Sequence, residues 1–99
     1  MSDDFFAPPP FNPDSALATL KRTLRDLKLV ERGGAFELNG QPAVRAQADG
    51  ALLRLEVARR PSRSPDWERV EVRDHAQLRK FTDDLKRRAA RWADARSDD

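Results

Sequence analysis

The chain has 99 residues, of which 38% are hydrophobic, and this size predicts a single domain with one modest core. It contains no cysteine and a single histidine, which excludes disulfides and thiolate metal sites and disfavours a metal centre built from imidazoles. No apolar run approaches the roughly 20 residues of a membrane-spanning helix, and the N-terminus lacks the pattern of a signal peptide. We therefore expect a soluble cytoplasmic protein without a membrane partner.

The formal net charge of +2 hides an uneven distribution of charges along the chain. All 19 Lys and Arg residues lie between Lys21 and Arg96. Four of the 17 acidic residues lie in the end segments, namely Asp3, Asp4, Asp98 and Asp99. The body of the chain is therefore more basic than the total indicates, which favours acidic partners.

The first ten residues predict a flexible tail, because the prolines at 8–10 neither continue a helix nor donate hydrogen bonds to a sheet. The aromatic residues of this tail, Phe5 and Phe6, are candidate protein-interaction residues. The preferred interpretation is a disordered lead-in, and the alternative is a short segment that docks into a groove of this chain or of a partner. We expect residues 97–99 to fray, which leaves residues 11–96 as the folded domain.

The first helix begins at Asn12-Pro13, because asparagine suits the N-cap and proline the first helical position. Phe11 precedes the cap, where it can pack near Ala16. Leucines then recur at spacings of three and four, which is typical of a helix with one apolar face: they are Leu17, Leu20, Leu24 and Leu27. Glycines at 33–34 predict the end of the helical region.

Alternation of apolar and polar residues predicts four strands. They lie at residues 35–38, 41–48, 51–59 and 67–73. Asn39-Gly40 and Asp49-Gly50 favour two-residue hairpin turns, so the first three strands form an antiparallel meander with 51–59 as the central strand. Residues 60–66 include two prolines and predict a surface loop before the fourth strand.

The last helix begins at Asp74, which forms an approximate capping box with Gln77. Its apolar stripe consists of Leu78, Phe81, Leu85, Ala89 and Trp92. The predicted fold is α+β, in the order α-β-β-β-β-α: a four-stranded antiparallel β-meander with an N-terminal and a C-terminal helix packed on its one apolar face. We expect the opposite face to carry cross-strand charge pairs and no aromatic residue.

The predicted core combines the two helix stripes with the inward-facing strand residues, and Leu55 lies at its centre. Its members are Leu17, Leu20, Leu24, Leu27, Phe36, Leu38, Val44, Leu53, Leu55, Val57, Val70, Val72, Leu78, Phe81 and Leu85. Trp92 is treated separately, because the last turn of its helix is expected to project beyond the sheet. Trp92 therefore either packs on the first helix near Leu17 or Phe11, or is a third candidate protein-interaction residue that Phe5, Phe6 or another subunit shields.

No group of residues in the sequence points to catalysis. His75 stands alone at a helix start, with no nucleophile placed beside it by the sequence. Asp83 and Asp84 each have an arginine four positions later, so surface ion pairs explain them without a metal. The glycines lack the spacing of a phosphate-binding loop. We therefore expect no enzyme, no catalytic residue, no metal site and no cofactor.

Two classes of binding function remain. The preferred class is a small binding or adaptor module that acts through a protein partner, as a monomer or a weak homodimer. The alternative, which the sequence favours less, is weak and sequence-nonspecific binding of nucleic acid or another polyanion. The candidate anion-binding residues lie in the long loop and the last helix: Arg59, Arg60, Arg63, Arg87 and Arg91.

Overall fold

The computed structural model describes the backbone of residues 10–97 and the side chains of residues 10–93. Its elements are α1 (Pro13–Asp26), β1 (Val30–Arg32), β2 (Ala35–Leu38), β3 (Gln41–Asp49), β4 (Leu52–Ala58), β5 (Trp67–Val72) and α2 (His75–Ser97). The strands form one antiparallel sheet in sequence order. The predicted α+β meander is confirmed, with five strands instead of four. The predicted tail with Phe5 and Phe6 and the last two residues lie outside the described residues.

Both helices begin at the predicted caps. The side-chain oxygen of Asn12 accepts a hydrogen bond from the backbone N–H of Ser15 at 3.2 Å. At the start of α2, the Asp74 carboxylate accepts from the N–H of Gln77 at 2.8 Å. The Gln77 side chain in turn accepts from the N–H of Arg73 at 2.6 Å, one residue earlier than in a standard capping box. These bonds satisfy backbone donors that the helices leave unpaired.

Helix α1 ends at Asp26, earlier than the glycine pair predicted. Lys28 adopts a left-handed conformation with a φ of 71°. The N–H of Leu29 donates to the carbonyl of Leu24 at 3.0 Å, and the N–H of Lys28 donates to that of Arg25 at 2.9 Å. This is the Schellman pattern, and it turns Leu29 inward, where it is only 2% exposed. Leu29 was absent from the predicted core, because the sequence pattern did not indicate that the helix ends here.

Replacing Lys28 by glycine is expected to raise the free energy of unfolding by about 1 kcal/mol, because glycine adopts a positive φ without the steric cost of a Cβ atom. Thermal unfolding should show a midpoint higher by about 4–8 °C. Thr19→Gly, an exposed position inside α1, is the control and should lower the midpoint. A Lys28→Gly protein no more stable than the parent would contradict the assigned helix end.

Gly33 and Gly34 form a hairpin turn between β1 and β2, with φ values of 60° and 82°, and do not end the helix. Two positive φ values in a two-residue loop are typical of a type I′ turn. Asn39-Gly40 repeats this geometry between β2 and β3, as predicted, with φ values of 55° and 82°. The strand missed by the sequence analysis, β1, is therefore the first arm of an additional hairpin.

The fifth strand changes how the two helices are oriented. Each strand of a meander reverses the chain, so an odd number of strands makes the helices before and after the sheet run in the same direction. Consistent with this, the ring of Phe11 beside the start of α1 contacts that of His75 at the start of α2, edge-on at 5.3 Å. Leu27 at the end of α1 shares a groove with Trp92 on α2. Trp92 therefore lies at the opposite end of α1 from Leu17 and Phe11, and the expectation of packing there is wrong.

The core lies between the two helices and one face of the sheet. The buried cluster comprises Ala16, Leu20, Leu24, Leu29, Phe36, Ala43, Val44, Leu53, Leu55, Val57, Val72, Phe81, Leu85 and Trp92. Five residues predicted in the core are only partly buried at its margin: Leu17, Leu27, Leu38, Val70 and Leu78. Val70 lies on the edge strand β5, where the helices cover the sheet incompletely.

Candidate binding surface at the β5 edge

Helix α2 holds the ends of the long loop between β4 and β5. The N–H of Arg59 donates to the carbonyl of Asp66 at 3.0 Å and closes the loop. The carbonyl of Arg59 accepts a hydrogen bond from the indole N–H of Trp92 at 3.3 Å. The Arg88 guanidinium donates to the carbonyl of Ala58 at 3.4 Å. The arginine-rich loop therefore has a base that is fixed to helix α2, and Trp92 is part of that base with only 7% of its surface exposed.

A bidentate ion pair joins α2 to β5. The two terminal nitrogens of Arg88 lie 2.9 and 3.1 Å from the two carboxylate oxygens of Glu68. Glu68 pairs with Val57 in the sheet and so points to the helix side. The hydrogen bonds from Arg88 hold the pKa of Glu68 below its ordinary value of about 4.5, and Glu68 raises the pKa of Arg88. The four-residue spacing in the sequence instead predicted an ion pair between Arg88 and Asp84.

This ion pair predicts a specific loss of stability at low pH. The folded-state pKa of Glu68 is lowered. The contribution of Glu68 to folding stability is therefore complete above the unfolded-state pKa and is lost as the pH falls through the folded-state pKa. Thermal unfolding of the parent and of Glu68→Gln should differ at pH 7, and the difference should be smaller at an acidic pH below the ordinary Glu pKa of about 4.5. Glu71→Gln is the control, since the one described ion pair of Glu71 is with the exposed Arg73. A difference between parent and Glu68→Gln that is equal at both pH values would contradict the assignment.

Three of the five candidate arginines lie in the loop segment and two on α2, and their surroundings differ. Arg59 lies 3.9 Å from the Glu68 carboxylate, and Arg87 lies 2.6 Å from that of Asp84. The remaining three are exposed and form no ion pair with a described carboxylate: Arg60, Arg63 and Arg91. Arg91 follows Arg88 by three residues and therefore lies beside it on the helix surface. Two of these three arginines thus lie in the loop and the third lies beside Arg88, and none is paired with a described carboxylate.

The hydrogen bond that closes the loop shows which backbone groups of β5 point away from the sheet. Hydrogen-bonded and non-hydrogen-bonded residue pairs alternate in an antiparallel ladder. The bond from Arg59 to Asp66 continues the β4–β5 register and makes the even-numbered residues of β5 the ones bonded to β4. The backbone N–H and C=O groups of three residues therefore point away from the sheet: Trp67, Arg69 and Glu71. The next N–H in this series, that of Arg73, is occupied by Gln77.

The solvent-exposed face of the sheet differs from expectation in one respect. Glu56 lies 3.6 Å from Arg45 and 3.9 Å from Arg69, so the predicted cross-strand charge pairs are confirmed. However, Trp67 also lies on this face, with the Arg45 guanidinium 4.4 Å from its ring centroid. The expectation that no aromatic residue lies there is wrong. Because Trp67 and Arg69 are two residues apart in one strand, their alternation already predicted a shared face.

Within residues 10–97, no helix is long and apolar enough to cross a membrane. No group of three metal-ligating side chains occurs among the described residues. No family model matches this chain. The comparisons with curated proteins and with solved structures also find no match. The function must therefore be argued from the residues of the site.

Proposed function

We propose that this protein is a non-enzymatic binding module that pairs the β5 edge of its sheet with an extended, acidic segment of a partner protein. The observation that carries the proposal is the outward backbone of β5. The N–H and C=O groups of Trp67, Arg69 and Glu71 form a ladder that an added strand can complete. Recognition by strand addition takes its affinity from such main-chain bonds and its specificity from neighbouring side chains.

The two edges of the sheet are not equivalent. Strand β1 has three residues and offers a short ladder, which is a common protection against unwanted pairing. Strand β5 has six residues, and its pairing with β4 is continuous without a bulge. Val70 remains partly exposed on the helix side, where a side chain from an added strand would extend the core. The geometry therefore favours the β5 edge.

The charges beside this edge favour an acidic partner. Arg60, Arg63 and Arg91 have no ion pair with a described carboxylate, and the side chain of Arg69 is 87% exposed. Carboxylates on the partner would neutralise these charges and would guide its approach. A basic partner would meet repulsion from the same residues. We therefore expect discrimination by charge as well as by backbone pairing.

The test compares the parent with Arg69→Pro and Arg69→Ala. Proline at this outward-facing edge position removes the exposed N–H together with the arginine side chain, whereas alanine removes the same side chain and charge but keeps that donor. A synthetic peptide that alternates valine and glutamate should shift the amide NMR signals of Arg69 and Glu71 in the parent. Arg69→Pro should bind about tenfold more weakly or worse, and Arg69→Ala should retain most of the affinity. Thermal unfolding checks that both variants are folded.

A valine–lysine peptide is the control for charge and should produce no shifts at the edge. If the acidic peptide produces no edge shifts in the parent, or if Arg69→Pro binds as tightly as Arg69→Ala, strand addition at β5 is wrong. If both peptides shift the edge signals equally, strand addition stands and selectivity for acidic partners is wrong.

The second candidate function is polyanion binding by the arginines that form no ion pair with a described carboxylate. It depends on Arg60, Arg63 and Arg91, and it needs no backbone pairing. The structure favours it less, because the guanidinium of Arg45 lies over the Trp67 ring, where a stacked base would have to sit. Titration with heparin and with single-stranded DNA distinguishes this candidate from strand addition. Salt-sensitive binding that Arg69→Pro leaves intact, but that alanine at all three arginines abolishes, would support this candidate.

A further inference from the structure

Helices α1 and α2 end beside the β2–β3 hairpin, where they enclose a groove of about 400 Å³. The apolar residues that line it include Leu27, Leu29, Leu38, Ala89 and Trp92. Its volume lies within the range of natural binding pockets. Lys28 lies on its rim with an exposed side chain, because the left-handed backbone at this residue directs the chain around the helix end.

We propose that this groove binds the Phe5-Phe6 segment of a second copy of the chain. Two adjacent aromatic residues offer the large apolar surface that an apolar groove binds. Asp3 and Asp4 precede them directly in the sequence, and Lys28 on the rim forms no ion pair with a described carboxylate. The segment and the groove are therefore complementary both in polarity and in charge.

The parallel helices place the groove far from the segment within one copy. The segment is connected to the start of α1, whereas the groove lies past the end of this helix. Three residues separate Phe6 from Pro10, so their Cα atoms are at most about 14 Å apart, and the Cα atom of Phe5 is at most about 18 Å from that of Pro10. Helix α1 has 14 residues and is about 21 Å long. Within one copy, the tail would have to be fully extended along the whole of α1 to bring even the ring of Phe5 to the groove, whereas a second copy can supply both rings.

The same arrangement defines the assembly. Each copy carries one segment and one groove at opposite ends of its helix pair. Two copies that lie side by side in opposite directions satisfy both contacts at once, which gives a closed two-fold dimer. The groove does not include β5, so this inference does not depend on the proposed binding of an acidic partner.

The experiment uses the full chain and two variants with complementary defects. The double variant Phe5→Ser, Phe6→Ser lacks the aromatic rings and keeps the groove. Ala89→Lys places a long side chain in the groove and keeps the segment, and Ala90→Lys, the exposed neighbour, is its control. Sedimentation should show a concentration-dependent dimer for the parent and for Ala90→Lys. Dimerisation should be about tenfold weaker or worse for each of the first two variants.

Mixing the two defective variants is the decisive measurement. Each supplies what the other lacks, so one contact is restored and the mixture should associate more strongly than either variant alone. A parent that remains monomeric up to millimolar concentration overturns the proposal. It is also overturned if the double variant dimerises as well as the parent, or if the mixture associates no more than its components. Thermal unfolding identifies a variant that has lost its fold, and Leu38→Lys then replaces Ala89→Lys as the groove variant.

Discussion

Leu55→Ala is expected to lower the free energy of unfolding by about 2–5 kcal/mol. Leu55 lies on β4 with 1% of its surface exposed, between Ala46 of β3 and Val70 of β5. Because the core is close-packed, the surrounding side chains relax only partly into the cavity that the substitution leaves. Domains of this kind have a total stability of about 5–15 kcal/mol, so the loss is a large part of the whole. Urea denaturation measures it directly.

Leu52→Ala is the matched control for this prediction. Leu52 begins the same strand, pairs with the exposed Asp49 and is only partly buried. The same truncation there should therefore cost clearly less than at Leu55. If the two variants are equally stable, the centre of the core does not lie at Leu55.

Trp92→Ala is expected to cost about 3–5 kcal/mol, because it removes a large buried side chain at the end of α2. The same change deletes the hydrogen bond to the carbonyl of Arg59 and so releases the base of the loop. Trp92→Phe keeps most of the ring but removes this hydrogen bond. Its cost should therefore exceed the cost of the smaller ring by about 1 kcal/mol, the contribution of the lost bond. Denaturation of the three proteins measures both effects.

Fluorescence in a Trp67→Phe background provides an independent check on Trp92. A ring with 7% exposure should emit at short wavelength in the native state and shift to longer wavelength on unfolding. Native emission at the wavelength of a solvent-exposed indole would show that Trp92 is not part of the core.

The local features of the fold were predictable because their causes lie within a few residues of each other. The Asn12 cap depends on an N–H three residues later, and so does the cap at Asp74. The Asn39-Gly40 turn depends on two residues that tolerate a positive φ. The alternation in β4 identified Leu53, Leu55 and Val57 as core residues by strand periodicity alone. Each of these predictions holds regardless of how the remaining elements pack.

Strand β1 shows where local signals are insufficient. The segment after Asp26 contains apolar residues that fit either the helix stripe or a strand, so periodicity alone does not decide between them. Tertiary contacts decide it: β1 pairs with β2, and Glu31 forms an ion pair with Lys21 of α1 at 3.2 Å. That single additional strand makes the helices parallel and moves Trp92 to the other end of α1.

The candidate site also depends on distant contacts. Arg88 reaches Glu68 across 20 positions of sequence, and Trp92 reaches Arg59 across 33. Sequence periodicity places these residues on a face of their own element, but it contains no information about which element lies opposite. The sequence by itself therefore determined both helices with their N-terminal caps, four of the five strands and the basic character of the loop. Only the tertiary structure decided which arginines are paired and which backbone groups of β5 point outward, because both depend on how α2 and β4 pack against the loop.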